Sequence, residues 1–239
     1  MTKSQPHRHN DHSVNSSNNN NINNDHINQP LSPSKSTTPK SWPELPSWAH
    51  PTKRSSWGTI LQIQEWDDNG TEDCNQNNTQ YRTLNGWKGN DLVHSQSSPV
   101  RILEYRLLYK KNDDDNNSNV NKATLTGIVH FTPNAESHKG YCHGGSMCSI
   151  LDDIIGWTGF CATGRCIPWS GFTVQVNSKL CKPVQVDSIL KIVCTVEKIE
   201  KRKVWLKAIL VDPSNDVNGN VPIHAEGEGL VILNKGIVE

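Results

Sequence analysis

No apolar run in this 239-residue chain approaches the ~18 residues that a membrane-spanning helix requires. The N-terminus also lacks the charged-then-apolar layout of a secretory signal. An excess of one charge is missing too: 24 Lys and Arg balance 24 Asp and Glu. With no surplus of cations to displace counterions, a nucleic-acid binder working through its global field is disfavoured. Hydrophobic residues are scarce, at 33% of the chain, which is too few for a core spanning its whole length. Part of the chain is therefore expected not to fold. The seven cysteines contain no Cys-x-x-Cys spacing, and six lie in or beside expected strands and the expected helix. Buried, reduced thiols in an intracellular protein fit this better than a disulfide frame or a zinc site. The cytoplasm is the expected compartment. One Arg in the first 50 residues makes a poor mitochondrial transit peptide, although the scarcity of acids there leaves that address open.

The polarity is concentrated at one end. Residues 1–30 hold nine Asn and four His (His7, His9, His12, His26), followed by a Ser/Thr/Pro/Lys stretch to about residue 40. No hydrophobic period runs through residues 1–40, so they are expected to be disordered. With no Cys or carboxylate cluster beside the His residues, low-complexity drift explains them better than a metal tract. Residues 41–99 form a Trp-rich arm and a polar loop, with Trp42, Leu45, Trp48, Trp57, Ile60, Leu61, Ile63 and Trp66 as apolar anchors. No basic residues interleave with these Trp, so packing is expected rather than a stacking platform for bases.

Residues 100–239 read as the folded domain. Strand periodicity marks 100–110, 122–131, 171–180, 188–199, 202–211 and 223–233. The acidic triplet Asp113–Asp115 lacks the Gly and closing Glu of a calcium loop and reads as a solvated turn. Between the second and third strands, Met147, Ile150, Leu151, Ile154, Ile155 and Thr158 follow a 3.6-residue period and predict a helix over 145–161. The order β-β-α-β-β-β-β gives an α+β fold, an antiparallel sheet wrapped around one long central helix.

The helix carries the chemistry. Gly144 and Gly145 at its start leave unpaired N–H groups and a positive dipole end open to an anion or oxyanion. Asp152 and Asp153 are adjacent carboxylates in an otherwise apolar helix, an unfavourable arrangement unless they are paired or used. On a helical wheel Ser149, Asp152, Asp153 and Gly156 fall on one small, polar strip. Such a strip is expected to lie against a second subunit.

His143-Gly144-Gly145 with Asp152 nine residues after the His resembles the hotdog-fold acyl-CoA thioesterases, and most of all the relatives of the phenylacetate-pathway enzymes. The resemblance continues through Thr173 to Pro183 and the hairpin Glu197 to Lys203, covering roughly 125–233. It implies a hotdog fold and hydrolysis of acyl-CoA, within fatty acid and lipid metabolism, without cofactor or metal. In that family Asp152 would be the catalytic carboxylate, as general base or as nucleophile. The Gly144 N–H, with Gly145, would polarise the thioester carbonyl. His143 would fix the thioester, and Thr173 would position the carboxylate or the water. The resemblance further implies a homodimer or dimer of dimers whose sites take the Gly turn and the Asp from different chains.

Coenzyme A is polyanionic, and the stretch 178–207 carries eight basic residues against three acidic ones. Lys179, Lys182, Arg202 and Lys203 are the candidate phosphate contacts. The family commonly has consecutive basic residues before the Pro, whereas this chain has Cys181 before Lys182. Two other classes compete: a non-catalytic acyl-CoA-binding protein, and a hotdog hydratase or dehydratase, whose usual Asp/His placement at the helix start is absent.

Overall fold

The computed structural model describes residues 43–61, 92–94, 97–110 and 122–237. The expectations for residues 1–40, for Trp42, Ile63 and Trp66, for Cys74 and for Asp113–Asp115 lie outside these. All described residues belong to one unit, Thr38–Glu239.

The strands, in chain order, are β1 (Thr59–Ile60), β2 (Val100–Lys110), β3 (Lys122–Phe131), β4 (Glu136–His138), β5 (Tyr141–Cys142), β6 (Gly171–Leu180), β7 (Ser188–Glu200), β8 (Lys203–Val211) and β9 (Ile223–Leu233). One α-helix among the described residues, α1 (Gly144–Phe160), lies between β5 and β6. Seven strands form one antiparallel sheet in the order β1-β2-β3-β7-β8-β9-β6, and β4 and β5 make a small hairpin just before α1. No helix among the described residues is long and apolar enough to cross a membrane.

The expected sheet around one helix is therefore present, with α1 one residue earlier at each end than the sequence predicts. The inner face of the sheet buries Leu125, Val129, Leu190, Ile192, Val204, Leu206, Leu210 and Val231 against Met147, Ile150, Leu151, Ile154 and Ile155 of α1. Close approach needs a small residue on the sheet: a Cβ at Gly229 would stand 2.4 Å from Ile155 Cγ2.

Two bulges decide which side chains face the helix. In β2 the register shifts between Ile102 and Glu104, so Leu103 is an extra residue. Leu103 packs on the outer face, while Ile102 and Tyr105 belong to the inner core. In β6 the shift falls between Thr173 and Gln175, so that Thr173 and Val176, three apart, both face α1.

The outer face is covered by the arm. Its short 3-10 turns place Leu45, Trp48, Ala49 and Trp57 on Leu103, Ile128 and Ile189. Buried Arg54 reaches Glu104 at 2.6 Å, and the Lys191 ammonium sits 4.5 Å from the Trp57 ring centre. The edge strand β6 is the opposite case: Phe172 (68% exposed), Val174 (55%) and Leu180 (47%) lie open to solvent.

Two expectations are corrected here. Of the six described cysteines, Cys142, Cys161 and Cys194 are buried, but Cys148 and Cys166 are half-buried and Cys181 is exposed. The small polar strip on α1 does not turn as a whole toward a partner. Every residue from Ile154 to Phe160 is buried, Gly156 included, because the sheet closes over the C-terminal half of the helix. A Cβ on Gly156 would meet Thr173 Oγ1 at 3.3 Å, so a Trp there would strike its own chain.

Candidate active site

The start of α1 is held from both sides. His143 caps it, its backbone N–H donating to Ala135 O (2.7 Å) and its Nδ1 accepting the Gly145 N–H (2.8 Å). Gly145's amide is thus engaged by His143 and is not a free donor. Gly144 lies against the far end of β6, where a Cβ would stand 2.7 Å from Leu180 Cδ1. An open pocket of about 370 Å³ adjoins this turn, lined by Leu92, Val100, Ala135, His143, Ser146 and Ser149 among others.

Asp152 and Asp153 point to different walls. Asp152 hydrogen-bonds with the Thr173 hydroxyl on β6. The residue as a whole is exposed, yet enough protein surrounds it that desolvation raises its carboxyl above the usual range. The Thr173 hydrogen bond opposes that rise, and the neighbouring charge of Asp153 adds to it. Asp153 turns inward to β2, where it accepts from Tyr105 Oη (2.9 Å) and meets His94 Nε2 at 3.2 Å. Burial, and then Asp153, push the Tyr105 phenol well up, so it stays a donor. Sequence reasoning missed this triad. Tyr105 reaches Asp153 only because Leu103 bulges out of β2, and His94 comes from an irregular segment with no periodic signal.

The candidates divide into two groups along the molecule. Gly144, Leu180 and Lys182 lie at the end where α1 begins. Lys179 pairs with Glu226 at 3.4 Å, and Lys182 lines a groove of about 410 Å³ with Tyr141 and His224. Arg202 and Lys203 sit at the β7–β8 turn, beside Leu233 and Ile232 and hence beside the start of β6. Ten residues of extended β6, about 30 Å, separate the two ends. One chain therefore does not gather its four candidate phosphate contacts. Nor does it gather its catalytic candidates: Gly144 and Asp152 are eight residues apart on one helix, about 12 Å of axial rise. Among the described residues no cluster of His, Cys, Asp and Glu could hold a metal ion.

No family model matches the chain, and no curated protein matches it. Solved structures do. A thioesterase superfamily member 2 from zebra fish is similar at 17% identity and a TM-score of 0.42, over 67% of this chain and 97% of that one. An acyl-CoA hydrolase variant from Staphylococcus aureus, in complex with coenzyme A, is similar at 14% and 0.41, over 48% and 67%. A Streptococcus mutans protein bound to acetyl-CoA is similar at 11% and 0.40, over 52% and 95%.

Proposed function

We propose that the protein is an acyl-CoA thioesterase, cleaving acyl-CoA with water to a free acid and coenzyme A. Asp152 is the carboxylate that takes the proton of the water or attacks the thioester carbonyl itself. The Gly144 N–H, at the positive end of α1, holds the developing oxyanion. Thr173 orients the Asp152 carboxylate, and His143 shapes the turn that presents Gly144. The observation that carries this reading is the environment of Asp152: an exposed residue whose carboxyl is raised by desolvation and met by the Thr173 hydroxyl. A general base gains strength as its pKa rises toward the working pH. Asp153, fully engaged by Tyr105 and His94, does not compete for the role.

The reading includes a homodimer. An oxyanion donor and a base must stand within a few ångströms of one carbonyl, and about 12 Å of helix separates them in one chain. A second copy across a two-fold axis brings its own Asp152 to this Gly144. The edge of β6 suits such a partner, since it is the end of the sheet among the described residues, and with exposed Phe172 and Val174 it offers both backbone groups and apolar area. The positions are mutually consistent. Thr173 lies by Asp152 and Leu180 by Gly144, so an axis passing α1 near Cys148 also passes β6 near Val176. The same axis carries Arg202 and Lys203 of one copy toward the helix start of the other, near Lys182. Coenzyme A phosphates would then meet basic groups from both chains.

The test is release of free thiol from a panel of short, long and aromatic acyl-CoAs by the purified full chain. Thiol release that requires Asp152 supports the reading. Binding of coenzyme A esters without thiol release would make the protein a carrier.

A further inference from the structure

The segment joining α1 to β6 contains a second chemically distinct pair. Gly164, at φ +88°, reverses the chain, its N–H donating to Cys161 O (3.3 Å). The Ile167 N–H then donates to Phe160 O (3.2 Å), closing a loop whose innermost facing residues are Cys161 and Cys166. Tyr109 Oη anchors this loop to β2 by donating to Cys161 O at 3.1 Å. Both side chains join the same apolar cluster, where each shifts the other's pKa. Cys161 is buried and Cys166 is half-buried at the loop's surface, next to exposed Arg165.

We propose that Cys161 and Cys166 are a redox-active dithiol that peroxide closes to a disulfide. The asymmetry assigns the roles. Cys166, half-buried, is the thiol that peroxide can reach, while Cys161 is buried behind it, and the neighbouring Cys161 thiol lowers the Cys166 pKa. Cys166 is the accessible thiolate and attacks hydrogen peroxide. One sulfur–oxygen bond forms, the peroxide O–O bond breaks, and water leaves after taking a proton. The Cys161 sulfur then attacks the Cys166 sulfenic acid, forming the S–S bond and releasing a second water. Two thiols lose two electrons and two protons, and peroxide is reduced to two waters. The loop closed is short, so the bond constrains the unfolded chain less than a long-range bridge would.

The full chain is treated with one equivalent of hydrogen peroxide, unfolded, alkylated without reductant and digested with trypsin. Trypsin cuts after Arg165, so the disulfide appears as two peptides joined between Cys161 and Cys166 and separated by reductant. That species is expected before exposed Cys181 is modified, and it should be absent in Cys161→Ser and Cys166→Ser. In Cys161→Ser, Cys166 should instead stop at the sulfenic acid with one equivalent of peroxide and reach the sulfinic acid only with a second. Recovery of Cys161 fully alkylated, with Cys166 either alkylated or over-oxidised in the parent chain, would overturn the proposal. So would oxidation of Cys181 ahead of the pair.

Discussion

Asp152 and Asp153 are separated by one peptide bond and about 100° of helix, and that rotation gives them different work. Asp152→Asn keeps the volume and a bond to Thr173 but removes the proposed base or nucleophile. Turnover should fall roughly 10²–10⁴-fold. The stability effect runs the other way. A carboxyl whose folded pKa lies above its unfolded value is penalised once pH exceeds the unfolded value, and the penalty is complete above the folded one. Asp152→Asn should therefore leave Tm unchanged or raise it at neutral pH. Asp153→Asn strips a charged acceptor from buried Tyr105 and should cost about 1–3 kcal/mol, read as a lower Tm. Equal thermal loss in both variants would contradict the assignment. Thr173→Val removes a contact that lowers the Asp152 pKa, so the acid limb of kcat/KM should move to higher pH. An unmoved limb would show that Asp152 is not the group titrating.

At the scale of elements, Gly156 faces Thr173, whose Oγ1 a Cβ there would meet at 3.3 Å. Gly156→Ala should keep stability within about 1 kcal/mol, helix propensity offsetting a tight contact, while lowering kcat by displacing Thr173. Deleting residues 1–40 should change neither kcat nor Tm. Deleting 1–66 bares Leu103, Ile128 and Ile189 and should lower Tm markedly in calorimetry. Most of the elements were legible in the sequence, because each strand alternates and α1 changes the period to 3.6; the bounds of β2, β3, β6 and β9 agree to the residue. The bulges were not. One extra residue, Leu103 or Val174, inverts the side-chain phase without disturbing composition, and it decides that Tyr105 meets Asp153 and that Val176 follows Thr173 inward. The helical wheel located Asp152 but misplaced Gly156, since periodicity in one helix says nothing about how far a sheet edge wraps over it.

At the scale of the whole molecule, the central claim is that one active site draws Gly144 and Asp152 from different chains. Gly144→Pro supplies the second inactive partner. Pro at the first position of a helix is tolerated and removes only an N–H, and His143 at ψ 135° already has the extended backbone that a following Pro requires. Its ring meets the movable tip of Leu180. The decisive measurement is thioester turnover by co-expressed Asp152→Asn and Gly144→Pro chains, each inactive alone. Random pairing makes half the dimers mixed, and each mixed dimer holds one intact site, so about a quarter of wild-type activity should return. A mixture that exchanges subunits yet remains as inactive as its parents would contradict the shared site.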